Sequence, residues 1–192
     1  KRIEDVAGQH HLLDEGKVLR RIIDSGNIPN LIFYGPSGVG KTTVANIIAE
    51  NCGKKLYHLN ATVASTSDIK EIINSIGSIE ASSGILLYLD EIQYFNKKQQ
   101  QILLSYIENG DITLIASTTE NPYFYVYNAI LSRSTVFEFK TLSSGDILCV
   151  LERGISILTD EKGKTIKITS DSLKKIATAA AGDVRRSLNM LE

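Results

Sequence analysis

Residues 35–43, GPSGVGKTT, combine glycines, a lysine and hydroxyls at a spacing suited to binding a chain of phosphates. They match the pattern G-x-x-x-x-G-K-[ST], follow an apolar strand pattern and open a helix pattern. Glycines let backbone N–H groups converge on a phosphate, and the start of a helix adds partial positive charge. Lys41 would reach the β- and γ-phosphates of a nucleoside triphosphate, and the Thr42 hydroxyl would bind Mg²⁺. The residues predicted to bind the nucleotide are Gly35, Pro36, Ser37, Gly38, Val39, Gly40, Lys41, Thr42 and Thr43.

A pair of acids, Asp90 and Glu91, follows the apolar run ILLYL. In open α/β sheets, ligands bind at the carboxyl ends of the strands, where this pair would lie. Asp90 is predicted to hold Mg²⁺, mostly through water, and Glu91 to polarise an attacking water. Alone, the pair is equally well explained as a helix N-cap, but together with the phosphate-binding residues it indicates catalysis. An activated water favours hydrolysis over transfer to a bound acceptor.

The apolar run 112–116 ends in the polar residues STTENP. If this strand lies beside the other two, its polar end faces the γ-phosphate and the attacking water. A hydroxyl from Thr118 or Thr119 would hydrogen-bond the phosphate or orient that water. The alternative is an Asn-Pro turn with solvated threonines.

Arginines near two later turns are candidates for contacting the transferred phosphoryl group. Arg133 precedes the last predicted strand, where it would reach a neighbouring subunit's nucleotide rather than its own, or else cap a helix. Arg185 and Arg186 begin the last helix pattern, and one of them could fold back onto the nucleotide. Their alternative role is a solvated basic helix face.

The elements that position these residues alternate along the chain, which predicts an α/β fold with a mainly parallel sheet. Strands are predicted near 30–34, 55–60, 85–90, 112–117 and 135–139. Helices are predicted near 14–25, 41–51, 67–78 and 97–109, with further helical segments at 144–160 and 170–192. The polar link EKGKTIKIT separates the last two segments. We predict one domain over 1–141 and a second, helical and truncated, over 142–192.

Composition limits the function classes. The 192 residues carry 21 lysines and arginines against 22 acids, a net charge of −1, so no overall basic field indicates nucleic acid. The longest apolar run, 85–89, is too short to span a membrane. The two cysteines, Cys52 and Cys149, lie far apart, which indicates a reducing compartment, and we expect the cytoplasm.

The segments GPSGVGKT, LDEIQ, TTENP, LSR and GDVRR, in this order, resemble an AAA+ ATPase of the clamp-loader clade. FNKKQQQ and IENGDITLIASTTENPYF resemble the replication-associated recombination protein A family, bacterial relatives of the Werner-helicase-interacting ATPase. The resemblance covers nearly the whole chain. It implies a three-layer αβα P-loop core with a five-stranded, mainly parallel sheet, followed by a partial α-helical lid domain.

The resemblance also implies roles for individual residues. Thr118 would be sensor 1, with Thr119 as the alternative, and Arg185 would be sensor 2. Arg133 would be the arginine finger that acts on a neighbouring subunit. The N-terminal segment DVAGQHHLL resembles the family's adenine-binding box. In it, the adenine pocket would be lined, mainly by backbone and aliphatic atoms, by Val6, Ala7 and Gly8.

For function, the resemblance implies a DNA-dependent ATPase at stalled or gapped replication forks, using ATP and Mg²⁺. Its partners would be single-stranded, gapped or forked DNA, its own copies in a tetramer, and single-strand-binding protein or other replisome components. It would be nucleoid-associated, with no membrane partner. The family's C-terminal oligomerisation region is absent from these 192 residues. Where the family commonly has His-Arg, this chain has Gln93-Tyr94, which puts direct DNA contact by that loop in doubt.

Three other functions compete with this interpretation. A clamp-loader subunit would use the same core, although TTENP and FNKKQQQ argue against it. A protein unfoldase would need an aromatic pore loop, and residues 61–84 contain no aromatic residue. A nucleotide-gated scaffold would not need the acid at Glu91 or the arginine at Arg133.

Overall fold

The computed structural model describes residues 2–76, 84–162 and 168–192, without the side chains of 160–162. Its five strands form one sheet in the order β2-β3-β4-β1-β5, and each of the four pairings is parallel. The predicted α/β fold with a five-stranded, mainly parallel sheet is therefore confirmed. The strands are β1 (Asn30–Tyr34), β2 (Lys55–Asn60), β3 (Ile85–Asp90), β4 (Ile112–Thr118) and β5 (Ser134–Glu138).

Burial follows the position of each strand in the sheet. All seven residues of β4 are buried, as are the first five of β3, because helices cover both faces of these central strands. In the edge strand β2, half-buried and exposed residues alternate. Because β3, β4 and β1 are neighbours, their polar carboxyl ends meet at one edge of the sheet.

Helices pack on both faces of the sheet and make three layers. Helices α1 (His10–Leu13), α2 (Val18–Ser25) and α3 (Lys41–Cys52) share one buried core with Leu31 and Phe33 of β1. Helices α4 (Thr66–Asn74), α5 (Lys97–Glu108) and α7 (Asn128–Leu131) share a second core with β3 and β4 on the opposite face. The remaining helices of the described chain are α6 (Pro122–Tyr125), α8 (Ser144–Lys162), α9 (Ser170–Ala179) and α10 (Val184–Leu191), and short 3-10 turns lie at Ile3–Asp5 and Ile92–Tyr94.

Two predicted helices differ from the structure. The predicted helix 14–25 begins only at Val18, because Asp14 is extended and Gly16 has a φ of 80°, so α1 is separate. The predicted segment 170–192 is divided by a turn in which Ala181 and Gly182 have φ values of 52° and 86°. Helices α6 and α7 were not predicted. Residues 77–78 of the predicted helix 67–78, and most of the polar link, lie outside the described residues.

Helices α8, α9 and α10, which we call the lid, have their own buried core. It comprises Leu142, Ile147, Leu151, Leu173, Ala177 and Ala180. The domain division into 1–141 and 142–192 stays a prediction, which this separate core supports. Among the described residues, no helix is long and apolar enough to cross a membrane.

The turn between α9 and α10 packs closely, at Gly182, against Thr141 and Leu142, which precede α8. A side chain there would clash with the Thr141 methyl group and lie 3.0 Å from the Leu142 carbonyl oxygen. Gly182 also has a φ of 86°, which side chains rarely adopt. We therefore expect Gly182→Ala to lower the free energy of unfolding, measured by chemical denaturation, by more than about 1 kcal/mol. Gly53→Ala is the matched control, because its φ is 64° and nothing lies within 4 Å of the added carbon. Equal losses in the two variants would contradict a cost from close packing.

Candidate nucleotide-binding site

The loop of residues 35–42, which we call the phosphate loop, connects β1 to α3. Lys41 is the first residue of α3 and is buried. Its Nζ donates to the carbonyl oxygens of Gly35 and Pro36, each at 2.7 Å. Burial lowers the pKa of Lys41, and the Glu91 and Asp90 carboxylates partly offset this shift. An anionic phosphate at this position would compensate the buried charge further.

Thr42 and Asp90 are joined by a cluster of hydroxyl groups. The Tyr88 hydroxyl lies 3.0 Å from Thr42 Oγ1, 3.0 Å from Ser117 Oγ and 3.3 Å from Asp90 Oδ1. Ser117 Oγ also donates to Asp90 Oδ1. Burial raises the pKa of Tyr88 to about 12, so its phenol stays protonated at neutral pH. The oxygen donors of Thr42 and Asp90 fit Mg²⁺, which prefers such ligands.

Neither Tyr88 nor Ser117 is among the site residues predicted individually from the sequence. Tyr88 is fully buried in β3, and Ser117 is fully buried in β4. The available signal was a tyrosine within the otherwise aliphatic run ILLYL, because a buried phenol needs a hydrogen-bond partner. These two residues tie α3, β3 and β4 together at the edge of the sheet.

Glu91 has a left-handed backbone conformation, with φ 57° and ψ 48°, which is uncommon outside glycine and occurs often at functional sites. Its Oε2 accepts hydrogen bonds from Gln93 Nε2 at 2.6 Å and from Thr119 Oγ1 at 3.4 Å. The other amide atom of Gln93, Oε1, is buried and has no hydrogen-bond partner in the described part of the chain. The carboxylate is therefore held by two neutral groups from two different segments.

Of the two predicted sensor threonines, the structure brings Thr119 to Glu91. Thr118 ends β4 and is fully buried, and its Oγ1 accepts a hydrogen bond from the Glu120 N–H at 3.0 Å. Thr119 is exposed beyond the strand end and contacts the acid directly. This geometry favours Thr119, the alternative, for the predicted sensor role.

A cavity of about 390 Å³ lies between the phosphate loop, the N-terminal segment and the lid. Its volume is within the range of small-molecule sites. It is lined by apolar residues of the predicted adenine box and of the lid, namely Val6, Ala7, Leu142, Val150, Val184 and Leu188. Arg153 of α8 also lines it and donates to the Asp5 carbonyl oxygen at 2.7 Å, which joins the lid to the N-terminal segment.

Three predicted nucleotide-binding residues are not among the described residues that line this cavity. Gly8 packs against Leu142, and a side chain at this position would clash with the Leu142 side chain. Gly35 and Pro36 instead present their carbonyl oxygens to Lys41.

The lid docks directly on the phosphate loop next to Arg185. The Val184 N–H donates to the Gly38 carbonyl oxygen at 3.0 Å, and Ser37 Oγ donates to Asp183 Oδ2 at 3.3 Å. Arg185 lines the cavity and contributes to the lowered pKa of Lys41, although less than burial does. The guanidinium therefore lies near the Lys41 ammonium, where phosphate oxygens would be bound.

Arg133 is exposed and does not line this cavity within the described chain. Its Nη2 pairs with Glu108 Oε1 at 2.6 Å, and its Nη1 donates to the Ala129 carbonyl oxygen at 2.9 Å. The structure thus brings together the phosphate loop, both acids, Thr119 and Arg185, and leaves Arg133 on the outer surface.

A parallel sheet that carries a phosphate loop after its first strand, beneath a helical lid, defines a P-loop nucleotide-binding domain. Residues 31–142 match the ATPase family associated with various cellular activities (AAA), and the chain belongs to this family.

Comparison with known proteins confirms the resemblance predicted from the sequence. The chain is 39% identical over 193 residues to replication-associated recombination protein A of Coxiella burnetii, covering 99% of this chain and 43% of that protein. It is 34% identical to the ATPase WRNIP1 of Dictyostelium discoideum, covering 99% of this chain and 22% of that protein. The chain therefore spans less than half the length of these relatives.

The fold is also similar to that of a solved structure of RuvB, the Holliday junction branch migration motor of Thermotoga maritima. The TM-score is 0.81 at 21% sequence identity, and the match covers 100% of this chain and 63% of that one. This similarity concerns the fold of the core and the lid.

Proposed function

We propose that this domain binds ATP with Mg²⁺ and hydrolyses it to ADP and phosphate. The observation that carries the proposal is the position of Glu91 at the edge of the sheet. It lies at the end of β3 in a left-handed conformation, is held by Gln93 and Thr119, and lines the same cavity as Lys41. Membership of the AAA family supports the ATPase activity.

Each part of the cavity has a proposed role in binding. Val6 and Ala7 would contact the adenine, and the phosphate loop would bind the phosphates. Lys41 and Arg185 would neutralise the charge on the β- and γ-phosphates. Thr42 and Asp90 would hold Mg²⁺, which compensates phosphate charge when bound.

Hydrolysis needs a water in line with the γ-phosphorus and a group that takes its proton. Glu91 would accept that proton while the water oxygen bonds to the γ-phosphorus and the bond to the β,γ-bridging oxygen breaks. The Thr119 hydroxyl, next to Glu91, would orient the water or bind a γ-phosphate oxygen. The hydrogen bond from Gln93 would fix the direction of the carboxylate.

We further propose that the whole protein acts on DNA at stalled or gapped replication forks and that DNA stimulates its ATPase. The names of its relatives, among them replication-associated recombination protein A, support this role. The exposed position of Arg133 supports a homo-oligomer, a tetramer in our proposal, in which this arginine reaches a neighbour's nucleotide. The proposed location is the cytoplasm at the nucleoid, with single-strand-binding protein or replisome components as partners.

The test is the rate of ATP hydrolysis by the full-length protein with and without gapped or forked DNA. We expect hydrolysis without DNA and a higher rate with it. Hydrolysis that no DNA structure changes would contradict the role on DNA and leave the ATPase in place. A protein that binds ATP without hydrolysing it would contradict the ATPase itself.

A further inference from the structure

The exposed tyrosine and phenylalanine side chains of the described chain lie on two segments that pack against each other. One segment is the 3-10 turn Ile92–Tyr94 and the other is α6. We call these side chains the aromatic face: Tyr94, Tyr123, Phe124 and Tyr125. Phe124 is 81% exposed, which is a large apolar area to leave in water.

The buried side chain of Gln100 on α5 connects the two segments. Its Nε2 donates to the carbonyl oxygens of Phe95, at 2.9 Å, and Tyr125, at 3.2 Å. Its Oε1 accepts from the Tyr127 N–H at 2.8 Å. Gln100, in the segment FNKKQQQ, therefore fixes both halves of the aromatic face in advance. A preorganised surface binds a partner with a smaller loss of conformational entropy.

The surroundings of the aromatic face fit nucleic acid. Lys97 and Lys98 are exposed at the start of α5, and Lys97 Nζ lies 5.1 Å from the centre of the Tyr127 ring. Aromatic rings beside basic groups are the composition of surfaces that stack bases and bind phosphates. The exposed large aliphatic side chains of the described chain, which a docking protein helix would need, are on segments other than these two: Val18, Leu56, Val63 and Ile157.

We propose that the aromatic face binds single-stranded DNA, with bases stacked on Tyr94 and Phe124 and with Lys97 and Lys98 near the phosphates. This inference rests on the proposed function and names the surface that would contact DNA. The lack of a positive charge at Gln93-Tyr94 puts DNA contact by charge in doubt, and the proposed contact relies on the exposed Tyr94 ring instead. With only two lysines, the slope of log affinity against log salt should be shallow, roughly −1.4.

The aromatic face is connected to the catalytic acid at both of its segments. Tyr94 follows Gln93, which donates to Glu91. Asn121, whose side chain caps α6, follows two residues after Thr119, which also donates to Glu91. DNA bound here would therefore contact both segments that orient the proposed base, which provides a physical route for DNA to change the hydrolysis rate.

The test is fluorescence anisotropy of a dye-labelled oligo-dT strand with the full-length protein. Phe124→Ala and Tyr94→Ala should each weaken binding by about 5- to 150-fold, the usual effect of removing one stacking ring. Phe124→Tyr should bind like the wild type because it keeps the ring. Phe124→Leu should bind weakly although it keeps apolar bulk. Val18→Ala is the control, because Val18 is 53% exposed and lies on α2, which packs on the opposite face of the sheet from α5.

Three results would overturn the proposal. The first is equal affinity in all variants, and the second is normal binding by Phe124→Leu, because bulk rather than stacking would then suffice. The third is a Phe124→Ala protein that sediments as a smaller oligomer but binds DNA with unchanged affinity. The aromatic face would then be a contact between subunits. Each result concerns DNA binding or assembly, whereas failure of the proposed ATPase would appear as no hydrolysis by the wild type.

Discussion

Replacing Glu91 with glutamine should slow ATP hydrolysis by about 10²- to 10⁴-fold while ATP still binds. The amide has nearly the same shape, and its oxygen can still accept the hydrogen bonds that Gln93 and Thr119 donate. It cannot take a proton from the attacking water. Steady-state phosphate release measures the loss of hydrolysis, and binding of a fluorescent ATP analogue measures whether nucleotide affinity is kept.

The matched control is Glu152→Gln, an exposed acid on α8 that does not line the cavity of the described chain. It should hydrolyse ATP at the wild-type rate. A wild-type rate in Glu91→Gln would contradict the role of Glu91 as the base. Full biological activity of a Glu91→Gln protein that cannot hydrolyse ATP would favour a nucleotide-gated scaffold.

Replacing Arg133 with alanine should slow hydrolysis in the assembled protein by about 10³- to 10⁵-fold, the usual effect of losing an arginine finger. The physical reason is that a guanidinium neutralises charge that develops on the phosphoryl group during transfer. Arg21→Ala is the matched control, because Arg21 is exposed on α2 on the surface of the core. Phosphate release should be measured at a protein concentration where the oligomer forms.

Mixing the two inactive proteins distinguishes action on a neighbour from action within one chain. In a mixed oligomer, an Arg133→Ala subunit keeps Glu91 and can receive Arg133 from a Glu91→Gln neighbour. We therefore expect hydrolysis to return on mixing, although each variant alone is inactive. No recovery in oligomers shown to contain both variants would contradict the proposed action of Arg133 on a neighbour.

The elements that could be predicted from the sequence are those with a recognisable pattern of neighbouring residues. The runs LIFY and ILLYLD are apolar because helices cover both faces of β1 and β3, and this burial identifies them as strands. The phosphate loop has a fixed spacing, because backbone N–H groups and one lysine must meet a phosphate. Asp90 and Glu91 could be proposed as site residues from their place after a strand together with the phosphate loop earlier in the chain.

The choice between Thr118 and Thr119 could not be made from the sequence. Both are threonines at the end of β4, and a shift of one residue reverses which side chain is buried. In the structure the Glu120 N–H donates to Thr118 Oγ1, whereas Thr119 Oγ1 donates to Glu91, and this contact is the reason that we propose Thr119 for the sensor role. The left-handed conformation of Glu91 is likewise set by surrounding contacts rather than by its residue type.

Contacts between residues far apart in the sequence also could not be predicted. Ser37 and Asp183 are 146 residues apart, and Asp5 and Arg153 are 148 residues apart, yet both pairs join the lid to the rest of the site. Nothing in the local sequence around either partner specifies the other. The lid could be predicted as helical and Arg185 as a candidate for contacting the nucleotide, but the individual contacts that hold the lid on the phosphate loop could not be predicted.

The ion pair between Arg133 and Glu108 has a consequence for assembly. In a free subunit the arginine already has a counter-charge, on a pair exposed enough to contribute only about 0–1 kcal/mol. A neighbour must therefore compete with one carboxylate, and a bound triphosphate, with more negative charge than a diphosphate, competes better. If Arg133 serves a neighbour's nucleotide as proposed, thermodynamic linkage requires subunit affinity to rise with ATP and fall after hydrolysis. The bound nucleotide would then set the lifetime of the contact between two subunits.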